Sequence, residues 1–227
     1  MSLEVQSNNN LFPVTDWGLI DYEESNSKQQ NLIQNIYNEK RAGEIIFCSH
    51  APVVTVGRAT KDTDLWGWSG SVIKSPRGGR ATYHGPNQMV VYPLVNLSYD
   101  GYSAFSKKDV TSYLRLLEKV VINTLEQFKV KAYQRCEKVE VNGESLEATG
   151  VWVDNKKIAS IGIAVRRWVT YHGIAINIFK DKKAFSGINP CGFAPSTMTS
   201  IEEATGSTIN VSDIKNTFIS EFKSLIH

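Results

Sequence analysis

Cysteine is scarce and scattered. The 227-residue chain carries three, Cys48, Cys136 and Cys191, with no Cys-x-x-Cys pair among them. An odd number of isolated thiols argues against a disulfide scaffold and predicts reduced cysteines; no metal site is expected. Long apolar runs are missing too: none approaches the roughly 18 residues that cross a bilayer, and Met1–Asn10 is polar, without the basic-then-apolar order of a secretory signal. A cytoplasmic location is the expectation. Net charge is low, +2, so the chain has no strong field for nucleic acid or an anionic membrane, and neither is expected as a partner. Phosphate-binding loops are absent: neither Gly-x-x-x-x-Gly-Lys-Ser/Thr nor Gly-x-Gly-x-x-Gly occurs.

An apolar content of 41% is enough for a full core. With no repeat and no low-complexity linker, the expectation is one domain, residues 1–227. Leu32, Ile33, Ile36 and Tyr37 stand at helical spacing within Ser25–Arg41, ended by Gly43. Val110, Tyr113, Leu114, Leu117, Val121 and Leu125 form an apolar stripe that predicts a helix over Lys107–Phe128. Ile214, Phe218, Phe222 and Leu225 predict another over Ser212–Ile226. Strands are expected at Glu44–Cys48, Val53–Val56, Val72–Lys74, Met89–Val95 and Ile174–Ile178. Asp154-Asn155-Lys156 reads as a hairpin turn between Val151–Val153 and Ile158–Val165. Strands and helices do not alternate regularly, which predicts an α+β fold: a mixed β-sheet flanked by helices.

Four stretches could carry chemistry. In Arg77-Gly78-Gly79-Arg80-Ala81-Thr82-Tyr83-His84, two glycines allow close backbone approach to a ligand, and the arginines offer donors for phosphate or carboxylate. A plain glycine-rich turn with surface arginines explains the same residues equally well. His172-Gly173-Ile174-Ala175-Ile176-Asn177 places a histidine at a strand start, more often a structural position than a catalytic one. Cys191, between Pro190 and Gly192, sits on a turn, where reactivity competes with the usual role of a small buried hydrophobe. Cys48 and Cys136 adjoin apolar runs and read as structural. Lys156 and Lys157 follow the hairpin turn; strand alternation sends them to opposite faces, so one can point inward.

Together these stretches resemble the lipoyl(octanoyl) transferase family. The resemblance runs from about His50 to Thr199: His50-x-Pro52 with Thr55-Val56-Gly57-Arg58; Arg77-Gly78-Gly79 with Thr82-Tyr83-His84-Gly85-Pro86 and Gln88; Tyr92-Pro93-Leu94; Lys157-Ile158-Ala159 with Ile161-Gly162; Arg167-Trp168-Val169 with His172-Gly173 and Ala175-x-Asn177; and Pro190-Cys191-Gly192 before Thr199-Ser200. Ser49, Arg80 and Phe193 depart from the family's usual residues. The resemblance implies the fold shared by biotin and lipoate protein ligase catalytic domains. It implies that Cys191 takes an octanoyl group as a thioester from acyl carrier protein while Lys157 exchanges protons, with no cofactor. The implied acceptors are lysines in the lipoyl domains of 2-oxo acid dehydrogenase complexes and in the glycine cleavage H protein. The substrate site it implies is formed by Arg77 to His84, by Ser160, Ile161 and Gly162, and by Gly173, Ile174 and Ala175. Two other enzyme readings compete: an ATP-dependent lipoate ligase, and a cysteine hydrolase pairing Cys191 with His172 or His84. A third is an acyl-binding or partner-binding module without catalysis.

Overall fold

The computed structural model describes residues 11–135, 138–141 and 143–226; Cys136 and Met1–Asn10 lie outside the described residues. In chain order the elements are β1 (Val14–Ile20), α1 (Tyr22–Asn38), β2 (Gly43–His50), β3 (Val53–Val56), β4 (Ser71–Lys74), β5 (Thr82–His84), β6 (Gln88–Val95), α2 (Val110–Gln127), β7 (Tyr133–Gln134), β8 (Lys138–Val141), β9 (Glu144–Glu147), β10 (Val151–Val153), β11 (Lys156–Arg166), β12 (Val169–Asn177), α3 (Ile201–Thr205) and α4 (Val211–Ile226). A seven-stranded sheet runs β1-β2-β6-β12-β11-β10-β7, parallel only between β1 and β2. A three-stranded sheet, β4-β3-β5, and the β8–β9 hairpin complete the α+β fold.

Strand alternation gives the large sheet two apolar faces. Val91 and Ile174 join α2 and α4 in the main core, where Tyr113, Leu117, Val121, Leu125, Phe218 and Phe222 are fully buried. Each contributes about 1.5–3 kcal/mol by leaving water. Val90, Tyr92 and Ala175 face the other way, toward Ile33 and Ile36 of α1. Tyr37, expected on that stripe, is exposed instead. Asp109 caps α2 through Ser112 N–H, and Asp21 caps α1 through Glu23 and Glu24. Gly43 does not terminate α1, which ends at Asn38. It opens β2, where a Cβ would come within 2.2 Å of the Leu94 carbonyl oxygen. The two strands expected around Ala51-Pro52 both form, but β2 joins the large sheet and β3 the small one. The hairpin at Asp154–Asn155 is tight, both residues taking positive φ (45° and 64°), and it sets the register Trp152 opposite Lys157.

Candidate active site

A cavity of about 490 Å³ opens where β11 and β12 meet the 77–84 segment. Its floor is a point of low bulk: Gly162 and Gly173 face each other across the β11–β12 ladder. Gly78 lies close above, its N–H donating to the Ile163 carbonyl at 3.1 Å. A Cβ on Gly162 would approach the Gly78 oxygen to 3.2 Å and Arg77 Cδ to 3.3 Å. Val110 and Leu114 from α2, with Ile161, Ile163 and Ile174, make an apolar wall. Such a wall suits a hydrocarbon chain, at about 0.8 kcal/mol per buried CH₂.

Cys191 and Lys157 both line this cavity. Cys191 occupies a short 3-10 turn, Pro190–Gly192, with φ 55° and ψ 23°, a left-handed conformation uncommon outside glycine. The turn is fixed from below and from the side. Cys191 N–H donates to the Ala81 carbonyl at 2.8 Å, and Asn189 N–H to the Asp64 carbonyl at 2.8 Å. Asp64 is fully buried and pairs with Arg80 through Nε and Nη2. A Cβ on Gly192 would strike Arg80 Nη1 at 2.7 Å, so the arginine packs directly under the turn. Cys191 is partly exposed and free. Cys48 contrasts with it: burial, above all, pushes that thiol up to about 12, which disfavours the reactive thiolate.

Lys157 is 2% exposed and Lys156 is exposed, so strand alternation does separate the pair. The Lys157 ammonium lies 5.7 Å from the Trp152 ring centroid and 5.9 Å from that of Phe193. Those two rings meet edge to face at 5.2 Å. The main chain of Lys157 ties its strand to the segment following the cysteine, its carbonyl accepting from Thr199 N–H at 3.0 Å.

A buried polar cluster also borders the cavity. His50, His84 and His172 surround the Tyr22 ring at 5.3, 5.9 and 6.4 Å. His50 bonds the Ile20 carbonyl at 2.8 Å and the Tyr92 hydroxyl at 2.7 Å. His84 faces Gln88 at 3.3 Å, and His172 Nε2 faces the Ser75 hydroxyl at 3.4 Å. Burial holds all three below the usual histidine range. His172 falls to about 4, with Arg77 adding to the effect. The imidazoles are therefore neutral near pH 7. Arg77 donates to Thr55 and to the Gly78 carbonyl, and no carboxylate among the described residues pairs with it. Burial pushes its guanidinium down, while the neighbouring Cys191, Tyr22 and Tyr92 act in the opposite direction.

Of the residues expected at the site, Arg77, Gly78, Gly79, Arg80, Thr82, His84, Lys157, Ser160, Ile161, Gly162, Gly173, Ile174, Ala175 and Cys191 line the one cavity. Ala81 and Tyr83 do not. Alternation along β5 turns them away, into a cluster where Tyr83 packs on Trp68 and Phe185. The arginines also differ from a pair of ready phosphate donors, since Arg77 braces Thr55 and Arg80 holds Asp64. Tyr22, Arg58, Lys61, Val110, Leu114 and Leu146 also line the cavity, beyond the residues expected from the sequence. Tyr22 follows a helix cap and carries no local signal, whereas Tyr92 and His172 stood within recognised motifs. No group of three His, Cys, Asp or Glu among the described residues is arranged to hold a metal ion. No helix among the described residues is long and apolar enough to cross a membrane.

Comparison with known proteins places the chain in a family. Residues 21–223 match the lipoyl protein ligase A/B catalytic domain. An octanoyltransferase of Bdellovibrio bacteriovorus is 43% identical over 202 residues, 88% of this chain and 92% of that relative. The fold is that of a bipartite lipoate protein ligase from Thermoplasma acidophilum (TM-score 0.65, 16% identity, 95% of this chain and 84% of that one). More distantly it is that of the Aquifex aeolicus biotin protein ligase (TM-score 0.51, 9% identity, 95% and 69%). The chain belongs to the octanoyltransferase family, built on the lipoyl protein ligase A/B catalytic domain.

Proposed function

We propose that this chain transfers an octanoyl group in protein lipoylation by way of a thioester on Cys191. The observation that carries the reading is the meeting of Cys191 and buried Lys157 at one cavity with an apolar wall. In the first half-reaction the Cys191 thiolate attacks the thioester carbonyl carbon of octanoyl-acyl carrier protein. The carrier's sulfur leaves and takes a proton from Lys157. In the second, a lysine amine of an acceptor attacks the Cys191 thioester; the C–S bond breaks, the amine proton passes to Lys157, and the Cys191 thiolate is regenerated. Thioester-to-thioester exchange is nearly balanced and amide formation is downhill, so ATP has no role. The acceptors are lipoyl domains, those of 2-oxo acid dehydrogenase complexes and the glycine cleavage H protein.

A hydrolase using a histidine base is less well supported. His84 and His172 face Gln88 and Ser75, with no hydrogen bond to Cys191. The test is transfer from octanoyl-acyl carrier protein to an isolated lipoyl domain without ATP. The reading predicts octanoyl-lysine formation that vanishes in Cys191→Ser. A requirement for ATP, or release of free octanoate at the transfer rate, would overturn it.

A further inference from the structure

A carboxylate stands where the apolar stripe of α2 leaves no reason for one. Glu118 is fully buried in the helix interior. Burying an ionised carboxylate is unfavourable unless its oxygens are satisfied, and both are. Arg115 Nη1 donates to Oε2 at 2.6 Å, and the backbone N–H of Gly150 donates to Oε1 at 3.0 Å. The second bond links the helix to the entrance of β10, 32 residues further along the chain.

Gly150 is in turn the floor on which Lys157 rests. It takes φ 130°, a conformation closed to residues with a Cβ. A Cβ there would fall 2.5 Å from Lys157 Cε, 3.3 Å from its Nζ and 2.6 Å from the Ala159 carbonyl oxygen. The lysine stem therefore lies against the bare Gly150 backbone, with the rings of Trp152 and Phe193 around its ammonium. Nothing else among the described residues uses the Glu118 carboxylate beyond Arg115 and this peptide.

We propose that Glu118 is a positioning residue for Lys157: its carboxylate fixes the Gly150 peptide, and that peptide sets where the lysine amine sits at the cavity. The inference rests on the reading of Lys157 as the proton carrier. Loss of the acceptor at residue 118 frees the peptide, and an ångström of drift in a catalytic group lowers rate by as much as ~10²-fold.

The test is a double-mutant cycle on the single-turnover rate of acyl transfer to Cys191, with circular dichroism to confirm folding. Glu118→Ala is expected to slow transfer on the order of 10–100-fold with the KM for donor unchanged. Glu118→Gln, which keeps an oxygen acceptor for Gly150, should recover most of the rate. In a Lys157→Ala background, Glu118→Ala should cost nothing further. Glu118→Leu, which removes the acceptor for the Gly150 N–H while filling the same buried space, supplies the same test if Glu118→Ala does not fold. A slow Lys157→Ala beside a wild-type Glu118→Ala overturns the proposal, as do multiplicative losses or a Glu118→Gln as slow as alanine. A wild-type rate for Lys157→Ala overturns instead the reading of the lysine itself.

Discussion

Lys156 and Lys157 are neighbours in the chain and opposites in environment, the first exposed and the second 2% exposed at the cavity wall. The pair is an internal control. Lys157→Ala should lower the single-turnover transfer rate by about 10²–10⁴-fold, the range of general acid–base effects. Lys157→Arg should fail nearly as badly, because a guanidinium does not release its proton near neutrality. Lys156→Ala should match wild type. A crippled Lys156→Ala beside a normal Lys157→Ala would reverse the assignment.

The Asp64–Arg80 pair predicts a different phenotype. Asp64 carries the Cys191 turn through its carbonyl and Arg80 through its carboxylate. Removing one member of a buried pair typically costs about 3–5 kcal/mol, roughly 10 °C of Tm in a chain of this size. Asp64→Ala should therefore melt well below wild type and lose Cys191 alkylation by iodoacetamide in its folded fraction. Unchanged melting and alkylation would show that the turn stands without the pair.

The buried histidines predict acid sensitivity. His172 is at about 4 in the folded state against about 6.5 unfolded. Its contribution to stability is complete above pH 6.5 and declines as pH falls toward 4, because the unfolded chain takes up the proton first. The decline is on the order of 3 kcal/mol, and His50 and His84 act in the same direction. Urea denaturation from pH 7.5 to 4.5 should show falling stability, with a shallower fall in His172→Gln. A flat profile would mean these rings are hydrated.

Acyl length should be limited by the walls. Overpacking a filled site costs about 1–3 kcal/mol, so transfer from C16 donors should be far slower than from C8. Phe193, two residues beyond Cys191, is buried against Trp152 and does not line the cavity. Leu114 does. Leu114→Ala should raise the C12-to-C8 rate ratio, whereas Phe193→Leu should leave it near wild type. Equal C8 and C16 rates in the wild type would indicate an open groove.

Legibility in the sequence followed range. The helices Val110–Gln127 and Val211–Ile226 were readable because their apolar stripes repeat over several turns. The Asp154–Asn155 hairpin was readable from its turn residues. Val14–Ile20 was not, because Thr15, Asp16 and Gly18 break any alternation on an edge strand. Thr82–His84 is three residues long, too short to show a period. At the site, motif order brought out Cys191, Lys157 and the glycines. The partners of the charges stayed hidden, since Arg80 with Asp64, and Glu118 with the Gly150 peptide, are set by tertiary contact.

Cys191, and neither other cysteine, is the residue expected to carry the acyl group. Intact-mass measurement after mixing with octanoyl-acyl carrier protein, followed by peptide mapping, tests it directly. One octanoyl adduct is expected, at Cys191, abolished by Cys191→Ala and discharged on adding a lipoyl domain. An adduct at Cys48 or Cys136, or transfer that proceeds undiminished in Cys191→Ala, would contradict it.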